Sequence, residues 1–190
     1  MKTRSFSTFK YNFRAPGSPV EGPIRFAAGQ TVLGSVLIGR SQRGICAILL
    51  GEEVQALRDQ LGEAFPTIEL QADQPSLQHE VNQVVAFIDK DVPEGAINLD
   101  IGGTAFEQKV WRALCGIPAG QTRSYSEVAR NLGAPQAVRA VAGACAANVL
   151  AIAIPCHRVV RSDGSISGYR WGIERKRALL AEESAEESAA

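Results

Sequence analysis

Cys156 and His157 stand side by side at the end of an apolar run, Ala151-Ile152-Ala153-Ile154-Pro155. A thiol is the side chain most readily turned into a nucleophile, and a nearby imidazole can take its proton. Neighbouring residues of an extended chain point to opposite sides, so the two cooperate only through a water relay or a local bend. A Cys-His dipeptide alone is common, and its chemistry depends on what surrounds it. The other thiols, Cys46, Cys115 and Cys145, are scattered without a C-x-x-C, and His79 lies far from His157. That spacing fits neither a disulfide framework nor a metal site. They read as reduced thiols: Cys46 inside an apolar run, Cys115 at a helix end, Cys145 as a small apolar filler.

The elements that must hold the pair are legible in outline. Ser124-Tyr125-Ser126-Glu127 has the form of a capping box and opens a helix over 125–132, stopped by Gly133. Pro135 opens a second helix running to about 147. Two helices about a turn make a helix-turn-helix, which by itself is a weak signal. The second helix, PQAVRAVAGACAAN, is almost bare of side chains except for Arg139. It suits close packing in a core, or entry into a groove about 6 Å wide, the minor groove of DNA. Upstream, residues 104–115 place Phe106, Val110, Trp111 and Leu114 on one helical face, after a short strand at 96–101. Residues 24–51 hold strand-length apolar runs with a hairpin turn at Gln42-Arg43-Gly44, and 52–65 and 76–89 show helical spacing. Residues 1–23, with three prolines and two glycines, read as a flexible lead-in or the remnant of an interdomain linker. The acidic, low-complexity end, 184–190, reads as disordered.

Composition sets the outer bounds. Across 190 residues, 45% apolar and 21% charged is ordinary globular composition. There is no apolar run long enough for a membrane span and no secretory h-region after Met1, so a cytoplasmic protein with no membrane partner is expected. The formal net charge of zero hides an asymmetry. Residues 1–103 carry 9 Lys/Arg against 12 Asp/Glu, residues 104–177 carry 11 against 4, and residues 178–190 add four Glu and no cation. A basic middle segment draws a polyanion within a Debye length of about 10 Å, or is simply a solvated arginine-rich surface.

The longer pattern is specific. Ile154-Pro155-Cys156-His157-Arg158-Val159-Val160, preceded by Asn148 and followed by Gly168-Tyr169-Arg170-Trp171-Gly172, resembles the O6-alkylguanine-DNA alkyltransferase family, in the form found at the C-terminal end of bacterial Ada proteins. The match extends back through Gly103-Thr104-Ala105-Phe106, Val110-Trp111, Ile117-Pro118, Ser124-Tyr125 and Cys145-Ala146-Ala147-Asn148. It covers roughly 101–183 well and 31–100 more loosely. The resemblance implies direct repair: Cys156 takes the alkyl group from O6 of a flipped-out guanine, or O4 of a thymine, and keeps it, one protein per lesion. It implies that His157 draws the thiol proton through a water, with Glu183 (or Glu182, one residue off in register) orienting the imidazole. By the same likeness Asn148 is a hinge, Tyr125 helps the base leave, and Arg139 fills the gap left in the duplex. Val159, Tyr169 and Trp171 match the substrate pocket. Trp171 is bulky where some relatives are small, which implies a tighter pocket. No cofactor and no metal are expected, and the partner is double-stranded DNA bearing O6-alkylguanine, met by a monomer. Zinc-binding Cys and His residues of some members have no counterpart here, nor has the cysteine-rich domain that precedes the Ada module, so no regulatory role is expected.

The expected fold is α+β in two parts. Residues 24–100 form a small ribonuclease-H-like sheet-and-helix subdomain, and residues 101–183 a mostly helical, winged-helix-like subdomain with the helix-turn-helix. Competing readings are weaker. A binding module that recognises alkylguanine without accepting the group would lack Cys156. A cysteine hydrolase would want an oxyanion site that no motif indicates. A sequence-reading regulator would carry base-reading side chains on its second helix, not alanines and glycine.

Overall fold

The run Gly44–Gly51 is apolar at both parities, so a strand formed there must be covered on both faces. The computed structural model, which describes residues 8–91 and 93–189, shows the cover. The chain divides into two units, 1–103 with 149–153, and 104–148 with 154–190. The boundary expected at 100/101 therefore falls three residues later, and a five-residue return to the first unit was not foreseen.

In the first unit β2 (Ile24–Thr31), β3 (Gly34–Ser41) and β4 (Gly44–Gly51) form an antiparallel meander. The sheet grows by parallel pairing: β5 (Leu70–Ala72) on β2, β6 (Ile97–Ile101) on β4, and β1 (Phe9–Phe13) on β6. Helix α2 (Gln74–Ile88) presses on β2, where a Cβ at Gly29 would stand 2.8 Å from Val81 Cγ1. Helix α1 (Val54–Ala64) covers the other face. Gly39 pairs with Phe26, opposite in parity to Gly29, and a Cβ there would meet Leu61 at 3.1 Å. With a helix on each face, β4 has no solvent side and needs no alternation.

Two expectations fail at the chain's ends. Residues 9–13 are a strand rather than a flexible lead-in: Phe9, Tyr11 and Phe13 turn inward while Lys10 and Asn12 face out. Phe9 meets Phe87 edge-on at 4.6 Å, Arg14 pairs with buried Asp100 at 2.9 Å, and Val20 is buried. An edge strand with one buried face needs only three inward residues, too few to stand out among prolines and glycines. Residues 1–7 of that expected lead-in lie outside the described residues. At the other end the acidic segment expected to be disordered continues a helix, α6 (Ile173–Ala189). Ala and Glu are strong helix formers, and extending an existing helix adds a hydrogen bond per residue without a new nucleus.

A third expectation fails beside the reactive pair. Residues 151–155 are not a strand. Residues 149–153 touch the sheet only at Ile48, whose N–H donates to Val149 O at 2.8 Å and whose carbonyl accepts from Ala151 N at 2.9 Å. The chain then turns tightly, Ala153 N donating to Ala151 O at 2.7 Å, and Ile152 sits at φ 66°, unusual for a β-branched residue. These residues are apolar because they are buried, not because they are extended.

The second unit is mostly helical. Helix α3 (Ala105–Cys115) opens with a capping box of Thr104 and Glu107. A two-residue strand, β7 (Arg123–Ser124), leads into α4 (Tyr125–Asn131), whose capping box of Ser124 and Glu127 forms as expected. Gly133, at φ +71°, turns the chain, and α5 (Val138–Ala147) follows. Pro135 lies in that turn, three residues before the helix it was expected to open. Trp111 Nε1 donates to Ala144 O at 2.8 Å, a close approach that the small residues of α5 permit. A single 3₁₀ turn, Cys156–Arg158, leads into β8 (Val159–Val160), parallel to β7, and α6 closes the unit. No helix among the described residues is long and apolar enough to cross a membrane.

Candidate active site

Helix α5 ends at Asn148, which leaves the helix in an extended conformation and is wholly buried. Its amide Nδ2 donates to Ile154 O at 3.0 Å and to Cys156 Sγ at 3.3 Å. One side chain thus joins the helix end to the turn that carries the thiol. Burial pushes the Cys156 thiol above its ordinary range, against the Asn148 hydrogen bond and the nearby Lys176 charge. A thiol so held keeps its proton at neutral pH.

The 3₁₀ turn presents the neighbouring imidazole to α6. His157 Nε2 lies 2.9 Å from Glu183 Oε1, with both side chains buried. Burial pushes the Glu183 carboxyl up, but hydrogen bonds and charges from His157 and Arg158 outweigh it and hold the group at about 2. An ionised carboxylate only accepts, so His157 Nε2 carries a proton. Glu183, rather than Glu182, is the imidazole's partner. Arg158, also buried, donates from Nε to Glu183 Oε2 at 3.0 Å, from Nη2 to Oε1 at 2.8 Å, and from Nη1 to Ile117 O at 2.6 Å.

Cys156 lies on the wall of a cavity of about 510 Å³, within the size range of small-ligand sites. Tyr125, Ala142, Cys145, Tyr169 and Arg170 also line it. Ser167 Oγ donates to Tyr125 Oη at 3.3 Å, and burial raises the Tyr125 phenol, so it stays a proton donor at neutral pH. Lys176, fully buried, donates to Val159 O at 2.6 Å and Ser167 O at 3.1 Å, pinning both sides of the 160–166 loop. Among the described residues no group of three His, Cys, Asp or Glu is placed to hold a metal.

The sequence candidates divide into three sets. Asn148 bonds to Cys156 and Glu183 to His157, two hydrogen-bonded pairs linked through the adjacent backbone of Cys156 and His157, and Tyr125 and Tyr169 share the cavity wall with Cys156. Trp171 and Val159 are not part of that wall. Trp171 is buried behind Tyr169, its ring T-shaped to it at 5.2 Å, and the Val159 side chain is fully buried in β8. Arg139 is exposed on α5, on the same bare face as Ala140, Ala142 and Gly143; nothing lies within 4 Å of where a Gly143 Cβ would be. The small residues on this side of the helix therefore face outward rather than into a core.

Cys145, expected as a filler, is on the cavity wall, and burial pushes its thiol up to about 12. Sequence reasoning missed Arg158, Lys176 and Ser167. Arg158 stood inside the motif without a role. Lys176, Leu179 and Glu183 recur at helical spacing on the buried side of α6, a signal that a charged residue belongs to the interior.

Residues 105–185 match the family model described as 6-O-methylguanine DNA methyltransferase, DNA binding domain. The regulatory protein ada of Salmonella typhimurium is 49% identical over 175 residues, covering 92% of this chain and 49% of that protein. The chain thus spans about half the length of the Ada relatives it matches. The inducible methylated-DNA–protein-cysteine methyltransferase of Bacillus subtilis is 35% identical over 155 residues, 82% of each chain. A crystal structure of Mycobacterium tuberculosis OGT in complex with DNA superposes with a TM-score of 0.68 at 34% identity, over 85% of this chain and 93% of that one. Matched over most of both chains by the Bacillus relative, and by a solved structure of the same mixed α/β fold, this chain belongs to the methylated-DNA–protein-cysteine methyltransferase family.

Proposed function

We propose that this chain repairs DNA directly, by moving the alkyl group of O6-alkylguanine onto Cys156 in a single irreversible turnover. One observation carries the reading: Cys156 lines a cavity of about 510 Å³ while its neighbour His157 is held on a buried carboxylate. The sulfur attacks the alkyl carbon, the carbon–oxygen bond breaks, and its electron pair leaves with the base. The thiol proton passes through a water to His157 Nδ1, and the Tyr125 hydroxyl supplies a proton to the departing purine. The thioether has no leaving group that would regenerate the thiol, so one protein is consumed per lesion. Mixing the protein with a duplex containing O6-methylguanine should add one methylene per chain by intact mass; an unchanged mass with intact lesion would reject the reading.

In this reading α5 enters the minor groove, its bare face against the groove walls, and the target base is flipped into the cavity. Flipping costs a few kcal/mol, least for a mispaired base, and the Arg139 guanidinium offsets part of that by filling the vacated stack. Arg139→Ala should slow repair in duplex DNA at least tenfold and leave reaction with the free base near wild type. Equal losses on the two substrates would contradict the finger role. O4-alkylthymine is a second substrate of the same geometry. The protein acts as a monomer on the bacterial nucleoid, and its halves correspond to the ribonuclease-H-like and winged-helix-like parts of the family.

Trp171 acts at one remove, fixing the Tyr169 ring that forms the wall. Val159 acts through its backbone, holding β8 and the Lys176 bond beside the thiol. A wall so backed gives little to a large adduct, and methyl adducts should react faster than benzyl ones. Equal rates with O6-benzylguanine and O6-methylguanine would remove that expectation.

A further inference from the structure

We propose that Arg158 is a positioning residue that acts through Glu183 to keep His157 neutral in the resting protein. The inference rests on the alkyl-transfer reading, because it concerns the state of the base which that reaction needs.

Glu183 Oε1 is shared, accepting from His157 Nε2 at 2.9 Å and from Arg158 Nη2 at 2.8 Å, while Oε2 takes Arg158 Nε at 3.0 Å. The guanidinium cannot lose its proton, so the carboxylate's charge is already balanced before the imidazole titrates. Nη1 is fixed on Ile117 O, just beyond α3, so Arg158 cannot swing aside as the histidine changes state. A carboxylate alone would favour an imidazolium, the neutral buried pair. With Arg158 present, a resting imidazolium would instead leave one uncompensated positive charge in a buried site. A histidine that already held a proton could not accept the one from Cys156. When that proton does arrive it comes with a thiolate, and the site stays neutral.

The other charges around the ring act in the same direction or stand apart. On α6, Lys176 is a second buried cation near the thiol, and Glu182 and Glu186 are partly exposed. On α3, which also packs on the turn, the buried face is Gln108, Val110, Trp111 and Leu114, and Arg112 is exposed. Of these, Arg158 is the cation that touches the imidazole's own carboxylate.

The chain has two histidines, and His79 is exposed, so nitrogen NMR of histidine-labelled protein follows His157 directly, with His79→Asn assigning the signals. In the wild type His157 should be neutral and Nε2-protonated at pH 7, titrating below the ordinary value of about 6.5. Arg158→Met should move its midpoint up by at least about one pH unit. The acid limb of the methyl-transfer rate should move with it, so that the rate on that limb falls about tenfold. Arg158→Lys keeps the charge and should keep the midpoint low. An imidazolium at pH 7 in the wild type would overturn the proposal, and that measurement stands even if the Met variant does not fold. So would a Lys variant whose midpoint rises as far as that of Met, which would assign the effect to packing. Failure of the repair reading shows differently: no methyl transfer at any pH, whatever His157 does.

Discussion

Cys156→Ala gains no mass from a duplex containing O6-methylguanine, while Cys145→Ala still gains one methylene per chain. The contrast matters because both thiols line the same cavity. What separates them is their surroundings. Cys156 Sγ receives the Asn148 amide and is followed by a histidine anchored on a carboxylate. Burial raises both thiols, Cys145 to about 12, but Cys145 sits in the last turn of α5 with alanines on either side and no histidine next to it. The loss in Cys156→Ala should be complete within detection, because no other described thiol lies on that wall with a base beside it. The alanine variant keeps the Asn148 bond to Ile154 O, so its fold and DNA affinity should survive. Intact mass with peptide mapping reads the outcome. A methyl group found on Cys145 in the Cys156→Ala protein would show that the cavity, not the dyad, selects the acceptor.

Glu183→Gln is expected to be nearly as damaging, and in two ways. The amide keeps the shape but leaves the Arg158 charge buried without its counter-ion; breaking a buried pair in this way costs about 3–5 kcal/mol. It also presents an NH2 or a neutral oxygen to His157, so the ring loses the partner that fixes its tautomer, with a rate loss of about 10²–10⁴. The pH dependence follows in sign. The Glu183 carboxyl is held down at about 2 in the folded protein, below its ordinary unfolded value of about 4.3. Its stabilisation is therefore complete above that unfolded value and disappears as pH falls through about 2. Urea midpoints of wild type and variant should differ most above pH 5 and converge between about pH 4 and 2. Parallel curves over that range would mean that the Glu183 cluster is not what the substitution removed.

Local chemistry was readable wherever a few neighbouring residues settle the matter. The capping box of Ser124 and Glu127, the stop at Gly133 and the face of Phe106, Val110 and Leu114 each depend on spacing within one or two turns. The same short range explains the errors. An apolar run at 151–155 cannot say whether it is buried as a strand or as a turn, because burial sets the composition and hydrogen bonding sets the conformation. Strand β1 carried a true alternation, Phe9-Lys10-Tyr11-Asn12-Phe13, but its pairing partner β6 begins more than eighty residues later.

What the sequence carried unaided is the family and the Cys156-His157 pair proposed here as nucleophile and base, since a motif is a property of the chain order. Tertiary structure alone decided which charges became interior. Arg158 and Lys176 read as two more cations in a basic segment, and Glu183 is singled out from four acids near the end only by resemblance, with Glu182 left open, until α6 packs against the 3₁₀ turn and removes all three from water. The physical reason is that a charge becomes consequential through desolvation and partner geometry, and both are fixed by residues far away along the chain.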